Sequence, residues 1–360
     1  MTFSIDPDIT RATTLDTSFY TEEAHFREAR ERVFARSWQW LGPAHDVAQA
    51  GSAAPRELLP GLLDEPLMLA RDEEGDLRCL SNVCTHRGNI LIHRACRLKE
   101  IRCGYHARRF DLSGRMLSMP EFSEARNFPC ASDDLPSLPF AQWRGHAFTA
   151  IESVAPLAEF FAEIEARLPW LPIEQFVHDP QRDRDFELDA HWALYVENYL
   201  EGFHIPFVHA SLNAVVEYGS YASETGRYAN LQLAIARDGE PAFDIPAGEP
   251  DHGKRVAAYY WWVFPNLMLN FYPWGLSLNL IQPQSRERTR ISFRSFVWDA
   301  DKLEQGAGAG LDTVEMEDEE IVRAVQRGVR SRFYRHGRYS PARERGVHHF
   351  HRLLCEFMGT

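Results

Sequence analysis

Residues 83–110 read VCTHRGNILIHRACRLKEIRCGYHARRF. Cys84 and His86 form a C-x-H pair, and after an interval of sixteen residues Cys103 and His106 form a C-x-x-H pair. Each pair sets one thiolate and one imidazole on a tight turn, and the two turns resemble paired loops of a β domain. Two Cys with two His suit tetrahedral zinc, or a [2Fe–2S] cluster in which one iron takes two imidazoles. Zinc sites usually group like ligands in C-x₂₋₄-C and H-x₃₋₅-H pairs. Here each half mixes one Cys and one His, which suits a cluster whose two irons divide sulfur from nitrogen. Cys79, Cys96, Cys130 and Cys355 show no such pairing and are expected to be plain buried thiols.

Around this stretch, from about 41 to 150, short segments alternate with Gly, Pro and Asp, as in LLDEPLMLARDEEG and HAFTAIES. That texture predicts antiparallel β structure. Residues 17–40 predict an amphipathic helix with Thr21 as its N-cap and Phe26, Ala29, Val33 and Phe34 on its apolar face. Helical patterns return at 155–170, 191–209 and 312–334, and four strand-like runs lie between 255 and 298. The expected class is α+β, with a small all-β domain (41–150) interrupting a larger domain of helices and antiparallel sheet, 1–40 and 151–360. The 360 residues carry 44% hydrophobic and 25% charged side chains, which excludes disordered and fibrous classes. A net charge of −13 argues against a general nucleic-acid binder. Neither a signal peptide nor a membrane-length apolar run is visible, so a soluble, cytoplasmic protein with reduced thiols is expected.

A second constellation follows about a hundred residues later, in VENYLEGFHIPFVHASLN, which contains E-x-x-H-x₄-H. On a helix Glu201 and His204 lie about 60° apart and share a face, whereas His204 and His209 are about 140° apart. The two imidazoles can meet one metal only if the helix breaks between them, and Pro206 is expected to supply that break. Two His on such a segment suit the nitrogen part of a 2-His-1-carboxylate site. For the carboxylate, DTVEMEDEEIVRAVQRGVRSRF offers several acids. Taken as a helix, Val314, Ile321, Val322, Val325 and Val329 fall within about 60° of Asp318, while Glu317, Glu319 and Glu320 point about 100° or more away. Asp318 is therefore the expected ligand, at the centre of the buried face, with Glu315 in reserve. His348, His349 and His351 in GVHHFHRLL lack ligand spacing and are expected to be packing or surface residues.

These two patterns, in this order, resemble the Rieske non-heme iron oxygenases of the ring-hydroxylating dioxygenase α-subunit superfamily. The resemblance implies a Rieske domain inserted into a helix-grip catalytic domain, with a [2Fe–2S] cluster on Cys84, His86, Cys103 and His106 and a mononuclear Fe(II) on His204, His209 and a late acid. That acid precedes a V-Q-x-G segment, matched by Val325 to Gly328. Where the commonest family motif runs C-P-Y-H-G-W, this chain has Cys-Gly-Tyr-His-Ala-Arg. Glu201, where most members carry Asp, resembles the branch acting on choline, betaines and carnitine. By that resemblance it bridges His204 to the cluster ligand His106 of a neighbouring subunit, and Asn198 matches a polar residue near the iron. The expected activity is that of a terminal oxygenase using O₂ to hydroxylate or N-demethylate a small, possibly quaternary ammonium, substrate. Aromatic-ring hydroxylation is the alternative, and a pure electron carrier a further one. The resemblance also implies a homotrimer. Because no G-x-G-x-x-G signature occurs, a separate NAD(P)H-dependent reductase or ferredoxin is expected.

Overall fold

The computed structural model describes residues 3–359. One compact unit is formed by the chain up to Val33 together with everything from Ala155 onward, the other by Phe34–Val154. Among the described residues no helix is long and apolar enough to cross a membrane.

In the Phe34–Val154 unit, one five-stranded and two three-stranded sheets, all with antiparallel pairing, surround a core that includes Leu80, Ile101, Phe110 and Leu112. Cys84 and Cys103 belong to that core, whereas His86 is half-buried and His106 is exposed. The expectation that the other cysteines are buried holds only for Cys79; Cys96 and Cys355 are half-buried and Cys130 is exposed.

The larger unit is built on an eight-stranded sheet of β1 (Val177–His178), β2 (Arg184–Leu188), β3 (Ala222–Thr225), β4 (Ala229–Ile235), β5 (Val256–Val263), β6 (Leu267–Tyr272), β7 (Gly275–Ser285) and β8 (Arg288–Val297). Its order is β1-β8-β7-β6-β5-β4-β3, with β2 also paired to β8. The four runs expected between 255 and 298 are β5 to β8. Every residue of β5 and β6 is buried, so both faces of the sheet centre are covered. Five helices complete the part that matters for function: α1 (Trp192–Tyr199), α2 (Ile205–Val208), α3 (Ala210–Val215), α4 (Leu311–Gly328) and α5 (Arg345–Gly359).

Three helical expectations change. The N-terminal helix divides into Ser18–Thr21 and Glu23–Ala29, followed by a π-helical turn at Arg30–Phe34. Thr21 is no N-cap: its hydroxyl donates to the Thr17 carbonyl, and extended Glu22 separates the two pieces. Phe26, Ala29, Val33 and Phe34 are nevertheless all buried. The 191–209 helix stops at Tyr199, ahead of Pro206, which instead sits in the first turn of α2, where a missing N–H costs nothing. At Gly202 in the gap, a Cβ would lie 2.4 Å from the Tyr221 ring, so the close approach of the ring requires glycine.

The third change concerns α4. Its buried residues are Glu315, Glu319, Val322 and Gln326, while Ile321 and Val325 are exposed. The buried stripe is thus rotated off Asp318, which lies at its half-buried edge. Beside buried Val322, polar bonds to neighbouring residues seat this helix: Glu315 accepts from the Tyr195 hydroxyl, and Gln326 accepts from the His191 amide at 2.8 Å.

Candidate metal centres

The two Cys–His turns have one backbone pattern. The Cys84 amide donates to Asn89 five residues on and its carbonyl accepts from Gly88 four residues on; Cys103 does the same with Arg108 and Ala107. The fourth residue after each cysteine is left-handed, at φ +71° for Gly88 and +59° for Ala107. The His86 and His106 rings, two and three residues after their cysteines, lie 4.8 Å apart. The Cys103 sulfur faces the Tyr105 amide at 3.5 Å and the Asn89 side-chain amide at 3.7 Å. Burial resists ionisation of this thiol, but the amides of Tyr105 and His106 outweigh it and lower its pKa below the usual thiol value. Two inward sulfurs with N–H donors, and two outward imidazoles, fit a [2Fe–2S] cluster with one sulfur-held and one nitrogen-held iron.

Arg108, at the family's tryptophan position, turns inward. Its guanidinium lies 5.7 Å over Phe110 and 5.5 Å over Phe128 and pairs with Asp133. The pair keeps a buried charge balanced beneath the second turn.

In the larger unit, the gap between α1 and α2 turns His204 back toward His209. Glu201 in that gap accepts from His204 Nδ1 at 2.7 Å and from the Phe203 and His204 amides. Because a carboxylate only accepts, Nδ1 carries the proton and Nε2 is left as the ligand atom. His209 repeats the arrangement with Glu317, at 2.7 Å from Nδ1. Burial resists protonation of His209, yet Asp318 and Glu317 prevail and raise its pKa.

The Nε2 atoms of His204 and His209 stand 3.1 Å apart, and Asp318 Oδ1 is 3.4 Å and 3.0 Å from them respectively. An ion about 2.1 Å from each ligand on one octahedral face separates neighbouring donors by about 3.0 Å, so the three atoms fit one metal. Among the described residues this is the one group of three or more His, Cys, Asp or Glu side chains compact enough to do so. Asn198 donates to Asp318 Oδ1 at 2.6 Å. Glu315 binds no neighbouring imidazole; its Oε2 accepts from the Tyr195 hydroxyl at 2.5 Å, and burial holds its pKa well above the carboxylate range. His348, His349 and His351 bond to the Asp6 carbonyl, Asn230 and Tyr339, as packing residues do.

The triad borders a cavity of about 100 Å³. Its sheet wall is a polar row across four strands: Gln232 pairs in register with Tyr260, Tyr260 with Asn270, and Asn270 with Ser277, with Asn279 alongside. Tyr199, Tyr221 and Tyr272 add rings, and the Tyr199 hydroxyl donates to Asn270 at 2.7 Å. Sequence reading missed this row and Glu317. Asn270, Ser277 and Asn279 were nonetheless visible as polar residues at alternate positions in otherwise apolar strands.

Residues 170–360 match the model of the ring hydroxylating alpha subunit catalytic domain, and residues 37–129 that of the Rieske [2Fe–2S] domain. The chain belongs to the ring-hydroxylating alpha-subunit family. It is a Rieske non-heme iron oxygenase, and its cofactors are a [2Fe–2S] cluster and a mononuclear iron. It is 28% identical to a chloroplastic choline monooxygenase of Arabidopsis thaliana, over 97% of this chain and 84% of that one. Identity to a carnitine monooxygenase oxygenase subunit of Escherichia coli K12 is 27%, over 96% and 94%. The fold matches a solved quaternary ammonium Rieske monooxygenase with a TM-score of 0.77 at 23% identity, over 98% and 97% of the two chains. As a family member the chain works with O₂, an organic substrate and an electron-transfer partner.

Proposed function

We propose that this chain is the terminal oxygenase of a monooxygenase acting on quaternary ammonium compounds. One observation carries the reading: a single cavity is bordered both by His204, His209 and Asp318 and by the rings of Tyr199, Tyr221, Tyr260 and Tyr272. Aromatic faces attract a trimethylammonium group, which water hydrates weakly. The relatives named for choline and carnitine support the same substrate class.

In this reading Cys84, His86, Cys103 and His106 hold the cluster, and His204, His209 and Asp318 hold Fe(II). When bound, the iron supplies reductive activation of O₂ with electrons from the cluster. The protein's own work is positional. Glu201 and Glu317 hold the imidazoles in one tautomer, Asn198 steadies Asp318, and the cavity keeps the substrate's C–H bonds beside the metal-binding face. Oxygen insertion next to nitrogen gives a carbinolamine that breaks its C–N bond to release an aldehyde, a proton and the dealkylated amine; insertion at another carbon gives an alcohol, or an aldehyde hydrate where that carbon already bears a hydroxyl.

Glu201 also has the chemistry to connect His204 to the partner subunit's His106, within a head-to-tail homotrimer. The described inter-subunit electron transfer of the solved quaternary ammonium enzyme supports that assembly. A separate NAD(P)H-dependent reductase or ferredoxin feeds the cluster, and the working compartment is the cytoplasm.

Metal and sulfide analysis of the purified enzyme, combined with oxygen uptake on choline, carnitine, glycine betaine and an aromatic carboxylate, tests the reading. About three iron and two acid-labile sulfide per chain, with uptake confined to the ammonium compounds, is the expected result. Zinc without sulfide, or uptake on the aromatic acid alone, would refute it. Glu201→Gln should retain both metal sites and slow reduction of the mononuclear iron; unchanged kinetics would remove its bridging role.

A further inference from the structure

Arg108 is a buried cation that the proposed mechanism does not use. It follows His106 by two residues and is only 2% exposed. Its Nη2 donates to Asp133 Oδ1, while its Nε is buried without a hydrogen-bond partner. Asp133 is itself fixed, because its Oδ2 accepts from the Cys130 amide at 2.8 Å. The Asp133 carbonyl accepts at 2.7 Å from the hydroxyl of Thr85, the residue between Cys84 and His86. One residue outside both Cys–His turns is therefore bonded to each of them. The tryptophan common at this position in the family offers one N–H and no charge, so here a cation has replaced a neutral group.

Asp133 balances the pair as a whole, but the two halves are unequally screened. The Arg108 side chain is 2% exposed and that of Asp133 19%. Water weakens the field of the wetter end more than that of the dry one, which leaves a net positive field inside the unit. Aromatic rings lie between the guanidinium and the first turn. Phe128 sits under the guanidinium at 5.5 Å and packs on Phe122 at 4.7 Å, and Phe122 meets the His86 ring at 5.6 Å. Nearby charge is one of the levers on an iron–sulfur potential, since each added electron makes the cluster more negative and a cation stabilises that state.

We propose that Arg108 is a positioning residue for the cluster: with Asp133 it clasps the two ligand turns, and its buried charge raises the cluster's reduction potential. The cluster then takes an electron from its donor more readily and releases it to the mononuclear iron less readily. This rests on Cys84, His86, Cys103 and His106 holding the cluster.

Redox titration of the holoenzyme at one fixed pH, followed by the visible absorption of the cluster, tests the proposal. Arg108→Met removes the charge and should shift the equilibrium with a one-electron mediator about tenfold toward the oxidised cluster, a fall of about 59 mV. Arg108→Lys keeps the charge and should stay within about threefold of the native equilibrium. Asp133→Asn keeps the Thr85 bond, which goes to the backbone, but removes the counter-charge. It should shift the equilibrium about threefold or more toward the reduced cluster. A purely structural role predicts no such opposition of sign. The inference is overturned if Arg108→Met leaves the potential unchanged, or if Arg108→Lys falls as far as Arg108→Met. It is equally overturned if the Met and Asn variants move the potential in the same direction. Should Arg108→Met not assemble a cluster, Arg108→Trp restores the family's common residue and should show the same fall. If neither neutral variant assembles, the sign of the Asp133→Asn shift decides. A native enzyme without acid-labile sulfide removes the ligand reading, whereas a native cluster whose potential ignores Arg108 removes this inference alone.

Discussion

His204 and His209 each direct Nδ1 to a carboxylate, so neither ring can turn without losing a charge-assisted hydrogen bond. Glu317 should therefore matter although it contacts no metal-facing atom. Glu317→Ala is expected to weaken iron binding about 10–100-fold while the cluster spectrum stays intact, measured as iron retained against a graded chelator. Iron retention equal to the native enzyme would show that burial alone orients His209. The candidate ligands were legible because metal chemistry restricts both residue type and spacing. Glu317 was not, because helical angles describe where a Cα–Cβ bond leaves the axis; a glutamate adds two further torsions and reaches round the edge of α4. Asp318 was selected for the centre of an apolar stripe that the folded helix does not have. Its contacts come instead from His204, His209 and Asn198 at the helix edge.

Elements show the same division. The Cys–His turns are recognisable because each performs one closed hydrogen-bond circuit, yet nothing in their spacing reveals that the second runs through a left-handed alanine. A β-carbon in that region costs of order 1–2 kcal/mol, partly offset by the lower chain entropy alanine brings to the unfolded state. Ala107→Gly should stabilise the Phe34–Val154 unit by roughly 0.5–1 kcal/mol in urea unfolding, with cluster absorption unchanged. A loss of stability would mean that the methyl group packs usefully. The strands β5 to β8 were legible from their alternation and turn signals. The break in the 191–209 helix was expected at proline and occurs earlier, where Gly202 lets the Tyr221 ring approach the backbone. That is a tertiary demand with no local signature.

At the scale of the molecule, buried histidines couple folding to pH. His191 is fully buried, caps α1 through Nδ1, and is surrounded by Phe19, Tyr20, Phe26 and Trp192. Burial, with Arg286 nearby, lowers its pKa to about 3, and burial with Arg352 and Arg227 lowers that of His349 to about 4. Both titrate near 6.5 when unfolded, so below that pH the unfolded chain binds protons that the folded one refuses. Stability of the larger unit should be level above about pH 7 and fall by about 1.4 kcal/mol per pH unit per histidine between roughly pH 6 and 4. Urea midpoints that do not move between pH 7 and 5 would contradict this. The α+β class and the inserted β module were legible because two metal patterns and a change of texture mark them. The cavity was not, since it arises where polar positions on separate strands fall into one row. The lack of any lysine or arginine along its described lining also bears on feedback. An acidic product made by a later step would meet amide and hydroxyl donors at Asn270, Ser277 and Asn279 but no cationic side chain along that lining.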